Sequence, residues 1–161
     1  MKNHVWRSLE YLKYRGLVEA SIKIDKIPTL NMRNVKDNRV YYSVLSRLSQ
    51  LFPDIIQLNF WNCKLTETVF KSLENRNWKI EYLVMVKCSF GNSIKEKLSS
   101  NMFYNLKGLI IDSDEVSNAG IKAFMKMNFR NLRKFALANT FCTSDIIKLL
   151  KKKDWPGFDY L

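Results

Sequence analysis

The feature that most constrains this chain is a pattern that returns every 25 or 26 residues. IIQLNFWNCKL (residues 55–65) is followed by IEYLVMVKCSF (80–90), LKGLIIDSDEV (106–116) and LRKFALANTFC (132–142). Ile55, Leu58, Phe60 and Leu65 fall on Ile80, Leu83, Met85 and Phe90. They then fall on Leu106, Leu109, Ile111 and Val116, and on Leu132, Phe135, Leu137 and Cys142. The shared form is L-x-x-L-x-L-x-x-(C/N)-x-L, with Cys63, Cys88, Asp114 and Thr140 in the same slot. A unit this short cannot bury its own apolar face, so consecutive units must stack on one another.

The segments between these strands carry helical spacing. Thr66 precedes Val69, Phe70 and Leu73; Ser93 precedes Ile94 and Leu98; Ser117 precedes Ile121 and Phe124. Ser144 precedes Ile146, Ile147, Leu149 and Leu150. Each hydroxyl residue suits a helix N-cap and each apolar set defines one buried face. Gly120 is expected where a helix packs closely on the strand layer. Lys151, Lys152 and Lys153 suit a helix C-terminus, and Pro156-Gly157 ends the pattern. The expected fold class is α/β, a short solenoid of about four strand–helix repeats with a parallel concave sheet.

On these residues the chain resembles the leucine-rich repeat family, over residues 51 to about 150. The resemblance is to the cysteine-containing subclass common in substrate-receptor subunits of F-box ubiquitin ligases, with the ribonuclease-inhibitor type as a related architecture. It implies that Cys63 and Cys88 are adjacent rungs of a buried ladder bonded to the turn backbone. Asp114 and Thr140 depart from the family's Asn or Cys, so the ladder is expected to weaken towards the C-terminus.

Residues 1–51 are expected to form an N-terminal cap and irregular first repeat, continuous with the repeats and tail of residues 52–161. Trp6, Leu9 and Leu12 share a helical face within residues 3–15, and Gly16 is a stop. Residues 21–24 alternate as a strand, with Ile22 and Ile24 in the place of two repeat leucines. A loop over 28–37 then leads to a helix over 39–51, with Val40, Val44, Leu45, Leu48 and Leu51 inward. The spacing from Ile22 to Leu58 makes this first unit long. The alternative is a fragment whose upstream part held another domain.

Alternation along the strands divides buried from displayed residues. Gln57, Asn59 and Trp61 are displayed on the concave face, followed by Tyr82, Val84 and Val86, then Gly108, Ile110 and Asp112, then Lys134, Ala136 and Ala138. Aromatic and apolar residues gathered on such a face mark a protein partner, with Trp and Tyr as typical anchors. The alternative is self-covering by residues 157–161 or by the 25–39 loop.

Chemistry has little material to work with. His4 is the only histidine, which leaves no His-based acid–base or nucleophile pair. There is no phosphate-cradling glycine loop, and no histidine cluster accompanies the cysteines to bind metal. Asp112, Asp114 and Glu115 read as a solvated turn, with a cation site as the alternative. No cofactor is expected, and enzyme function is not.

The net charge of +12 raises the question of nucleic acid. The excess is spread along the chain, as ten basic against five acidic residues over 1–54, eight against four over 55–108 and nine against six over 109–161. That distribution reads as solvated surface. The second reading keeps a nucleic-acid or anionic contact on the helical, convex surface through Lys95, Lys97, Lys122, Lys126, Arg130 and Arg133, joined by Lys134. Three cysteines without a CxxC pair suit an intracellular, reducing compartment, cytoplasm or nucleus, with the mitochondrion as an alternative. No secretory signal and no membrane-inserted segment are expected.

The leading functional expectation is a non-enzymatic protein–protein interaction module. The resemblance implies substrate recognition in a ubiquitin-ligase adaptor as its most concrete form, although no F-box-like helical domain is read upstream. A basic structural subunit of a larger mitochondrial or ribonucleoprotein assembly, or nucleic-acid binding, is the alternative.

Overall fold

The structure is a computed structural model, and it describes residues 18–21, 29–74, 78–90, 103–126 and 129–152. Side chains are described at all of these except 18–21, 38–43, 74 and 90. The expected helices at 3–15 and after Ser93, Ile22, Ile24, and the tail at 157–161 lie outside the described residues.

The α/β class holds. Five parallel strands line up in chain order: β2 (Thr29–Arg33), β3 (Gln57–Trp61), β5 (Tyr82–Val86), β7 (Gly108–Asp112) and β8 (Lys134–Ala138). A sixth, β1 (Val18–Ser21), pairs antiparallel with β2 and closes that edge. Two-residue strands β4 (Lys64–Leu65) and β6 (Ser89–Phe90) form a second parallel ladder just beyond the main sheet. Four described helices follow the strands: α1 (Asn38–Leu51), α2 (Glu67–Glu74), α3 (Asn118–Met125) and α4 (Ser144–Lys152).

The register explains the period of the sequence. Leu30, Leu58, Leu83, Leu109 and Phe135 are successive cross-strand partners, as are Met32, Phe60, Met85, Ile111 and Leu137. Entry to the strands repeats one backbone bond: Glu81 N–H donates to Ile56, Lys107 to Glu81 and Arg133 to Lys107. Exit repeats another: Asn34 N–H donates to Trp61, Asn62 to Val86, Lys87 to Asp112 and Ser113 to Ala138. Each unit therefore hands its loose backbone groups to the next.

One continuous core lies between the sheet and the helices. Val44, Leu45 and Leu48 of α1, Val69, Phe70 and Leu73 of α2, Ile121 and Phe124 of α3, and Ile146 and Leu150 of α4 are buried against the inward strand residues. Phe70 meets Phe103 and Phe124 edge-on, with ring centroids 6.2 Å apart in both pairs. It thereby joins three successive units. The indole N–H of Trp78 donates to the Phe52 carbonyl at 2.7 Å, which pins one inter-unit loop to the previous one.

Several expectations need correction. The loop expected over 28–37 contains β2, whose Leu30 and Met32 stand in register with Leu58 and Phe60 of the next unit. Its spacing to β3 is 28 residues, read from Leu30 to Leu58. The first described strand is β1 over 18–21, which shares Ser21 with the expected 21–24 strand, whose other residues lie outside the described ones. Gly120 is not a close-packing position: a Cβ there would meet Val116 Cγ1 at an ordinary 3.7 Å. α4 is entered through Thr143, whose carbonyl accepts the N–H groups of Ile146 and Ile147, and Ser144 already lies inside the helix.

Candidate functional site

The face of the sheet turned away from the helices is built from three cross-strand rows. Thr29, Gln57, Tyr82, Gly108 and Lys134 form the first; Asn31, Asn59, Val84, Ile110 and Ala136 the second. Arg33, Trp61, Val86, Asp112 and Ala138 form the third. All nine residues expected at the partner surface (Gln57, Asn59, Trp61, Tyr82, Val84, Val86, Ile110, Asp112 and Lys134) thus sit on one sheet face. β2 adds Thr29, Asn31 and Arg33, which the loop reading had concealed.

The two halves of this face differ. On the N-terminal side Gln57 Nε2 donates to Asn59 Oδ1 at 2.9 Å, and Asn59 Nδ2 donates to Asn31 Oδ1 at 2.7 Å. These half-buried carboxamides form a continuous polar chain. On the C-terminal side Val84 and Val86 are half-buried, Ile110 is 42% exposed, and Ala136 and Ala138 are open. Trp61, also 42% exposed, stands at the join, with the Arg33 guanidinium 5.7 Å from its ring centroid. Gly108, expected as a displayed position, is buried, because the Tyr82 ring lies across it.

At the ends of the strands the chain turns through a left-handed corner at Asn34, Asn62, Lys87 and Asn139, with φ between 49° and 57°. Asn tolerates this region better than most residues because its short side chain bonds locally. Here Asn62 Nδ2 donates to Asn34 Oδ1 at 2.7 Å, and Asn139 Nδ2 to Asp112 Oδ1 at 2.7 Å. The next residue turns inward: Val35, Cys63 and Cys88 are all buried. Cys63 Sγ donates to the Met32 and Trp61 carbonyls at 3.5 and 3.3 Å. Cys88 Sγ does the same to Phe60 and Val86, at 3.4 Å each.

The fourth unit, built on β7, departs from this geometry. Asp114, expected in the slot, is exposed, and the buried hydroxyl is that of Ser113, which donates to the Cys88 carbonyl at 2.8 Å and accepts from Glu115 N–H at 3.3 Å. Ser113 is absent from the left-handed corners. The turn after β7 therefore brings a different residue inward, and a carboxylate avoids burial. Thr140, the last expected slot residue, is half-buried.

Cys63 and Cys88 are free thiols. The hydrogen bond between their side chains, followed by burial, pushes the Cys88 thiol far above its ordinary value. Such a thiol stays neutral and is a poor nucleophile or metal ligand. Among the described residues no group of three or more His, Cys, Asp or Glu gathers as for a metal ion.

The helical surface assembles less. Lys122 on α3, Lys126 at its C-cap, and Arg130 and Arg133 on the turn before β8 are exposed, but Lys134 points to the open sheet face. Arg130 stands 5.9 Å from the Tyr104 ring centroid, and Lys107 is paired with Glu81 at 2.8 Å. Lys95 and Lys97 lie outside the described residues. No described helix is long and apolar enough to cross a membrane.

The signal that would have disclosed β2 is a near-copy of the opening motif. TLNMRNVK (residues 29–36) repeats QLNFWNCK (57–64) position for position, with Leu, Asn, Asn and Lys identical. Comparison of the chain with protein-family models, curated proteins and solved structures returned no match.

Proposed function

We propose that this chain is a leucine-rich-repeat-like solenoid that works as a non-enzymatic protein–protein interaction module, taking its partner on the open face of the sheet. The observation that carries this reading is the exposure of Trp61 and Ile110 beside Val84, Val86, Ala136 and Ala138 on one rigid, hydrogen-bonded surface. An apolar surface with an aromatic at its border and polar groups to one side has the make-up of an interface. The sheet fixes these side chains in advance, so little conformational freedom is lost on docking.

The repeated register, entry bonds and corner bonds support the solenoid reading, and the buried, hydrogen-bonded thiols of Cys63 and Cys88 support a structural role for them. Substrate recognition within a ubiquitin-ligase adaptor is the concrete form that the family resemblance suggests.

The test is affinity capture from the native source with the wild-type chain and with a Trp61→Ala/Ile110→Asp variant of matched melting temperature. A co-purifying protein retained by the first and lost by the second is expected. The same chains recovered with both, or none with either, would remove the open face as the docking surface.

A further inference from the structure

The corner of the open face at the ends of β2, β3 and β5 is strongly basic. Arg33 and Trp61 are cross-strand neighbours, and Lys36, Lys64 and Lys87 follow just beyond the ends of these strands. All four cations are exposed. Lys36 Nζ donates to Asn62 Oδ1 at 2.9 Å, and Asn62 in turn holds Asn34. This chain of bonds anchors the ammonium to a neutral amide, which leaves its charge uncompensated. Among the described residues Lys36, Lys64 and Lys87 form no ion pair.

Lys87 carries a second, independent signal. It occupies the left-handed corner, φ 50°, that Asn34, Asn62 and Asn139 occupy in other units. Lysine has no short polar group to stabilise that conformation, so it is the costlier choice for the turn. Asparagine would serve the backbone better. The ammonium group is what lysine adds.

We propose that this corner, formed by Trp61 with Lys36, Lys64 and Lys87, receives an acidic segment of a protein partner. An aromatic or aliphatic side chain of the segment packs on Trp61, and carboxylates on either side meet the lysines. This deepens the reading of the open face as a protein-docking surface and rests on it. Charge complementarity selects the occupant. The third row also argues against a phosphate chain: it continues from Trp61 through Val86 to Asp112, two strands or about 10 Å away. A carboxylate there opposes a continuous line of phosphates, whereas a peptide places its acids individually. Tyr82, lying across Gly108, offers no second upright ring on which a base could stack.

The test is selection of a displayed library of random twelve-residue peptides on the wild-type chain and on Trp61→Ala. Peptides combining acidic residues with an aromatic or aliphatic anchor are expected on the wild type alone. A synthetic peptide of that kind should bind roughly tenfold more weakly to Lys36→Glu/Lys87→Glu and lose affinity as salt rises. Lys87→Asn should raise the melting temperature while weakening the same peptide, a combination that a purely structural lysine would not produce.

Enriched peptides without an acidic excess, or an unchanged affinity in Lys36→Glu/Lys87→Glu, would overturn the acidic-segment assignment and leave the docking face standing. No enrichment, or the same enrichment on Trp61→Ala, would overturn both. A twenty-nucleotide oligothymidylate that binds more tightly than the peptides, with the same lysine dependence, would overturn the assignment in favour of nucleic acid.

Discussion

The Tyr82 ring lies so close over Gly108 that a Cβ at position 108 would stand 2.8 Å from Tyr82 Cδ1. The two are direct cross-strand partners, so the glycine makes room for a ring laid flat along the open face. Gly108→Ala leaves the strand backbone content, because no left-handed φ is needed there. The ring must lift instead. The expected result is a stability change within about 1 kcal/mol together with greater solvent access to Tyr82. Thermal denaturation and tyrosine quenching measure the two. A quenching constant identical to wild type would show that the ring does not rest on Gly108.

Ser113, and not Asp114, holds the corner after β7. Ser113→Ala removes the donor to the Cys88 carbonyl and the acceptor for Glu115 N–H, in a buried site. A loss of about 1–2 kcal/mol is expected, against less than about 0.5 kcal/mol for Asp114→Ala on the exposed side. Urea unfolding of the two variants decides it. A larger loss at 114 would return the carboxylate to the slot.

The Cys63 and Cys88 pair makes stability depend on alkaline pH. The folded Cys88 thiol titrates far above the ordinary value of 9.0, because the Cys63 side chain bonds it and burial penalises its anion. A group whose folded pKa is raised contributes fully below its unfolded pKa, and the contribution is lost as pH rises beyond that point towards the folded value. Wild type should therefore lose up to about 1.4 kcal/mol per pH unit above pH 9 relative to Cys88→Ala. Urea midpoints from pH 7.5 to 10.5 test this. Parallel pH profiles for the two proteins would contradict it.

The parts of the fold that were legible beforehand are those written in apolar spacing. Leu58 and Phe60, Leu83 and Met85, and Leu109 and Ile111 alternate strongly enough to define strands and their stacking order. β2 escaped because its inward residues, Leu30 and Met32, are set among Thr, Asn and Arg after Pro28, and Asn disfavours strands when judged locally. Its register with β3 overrides that preference. Alternation also separated the displayed set from the core, so Trp61 and Ile110 emerged as exposed. The exchange of Asp114 for Ser113 and the burial of Gly108 under Tyr82 depend on a corner dihedral and a ring rotamer. Neither leaves a trace in residue spacing.

Docking on the open face is tested most directly by placing a photo-activated cross-linking residue at Ile110, at the centre of that face, and in parallel at Lys122 on the exposed side of α3. Irradiation in the native source should join a partner protein to position 110 and not to position 122, and addition of Trp61→Ala should abolish the product. A partner joined at 122 alone, or a product at 110 that survives Trp61→Ala, would contradict docking on the open face.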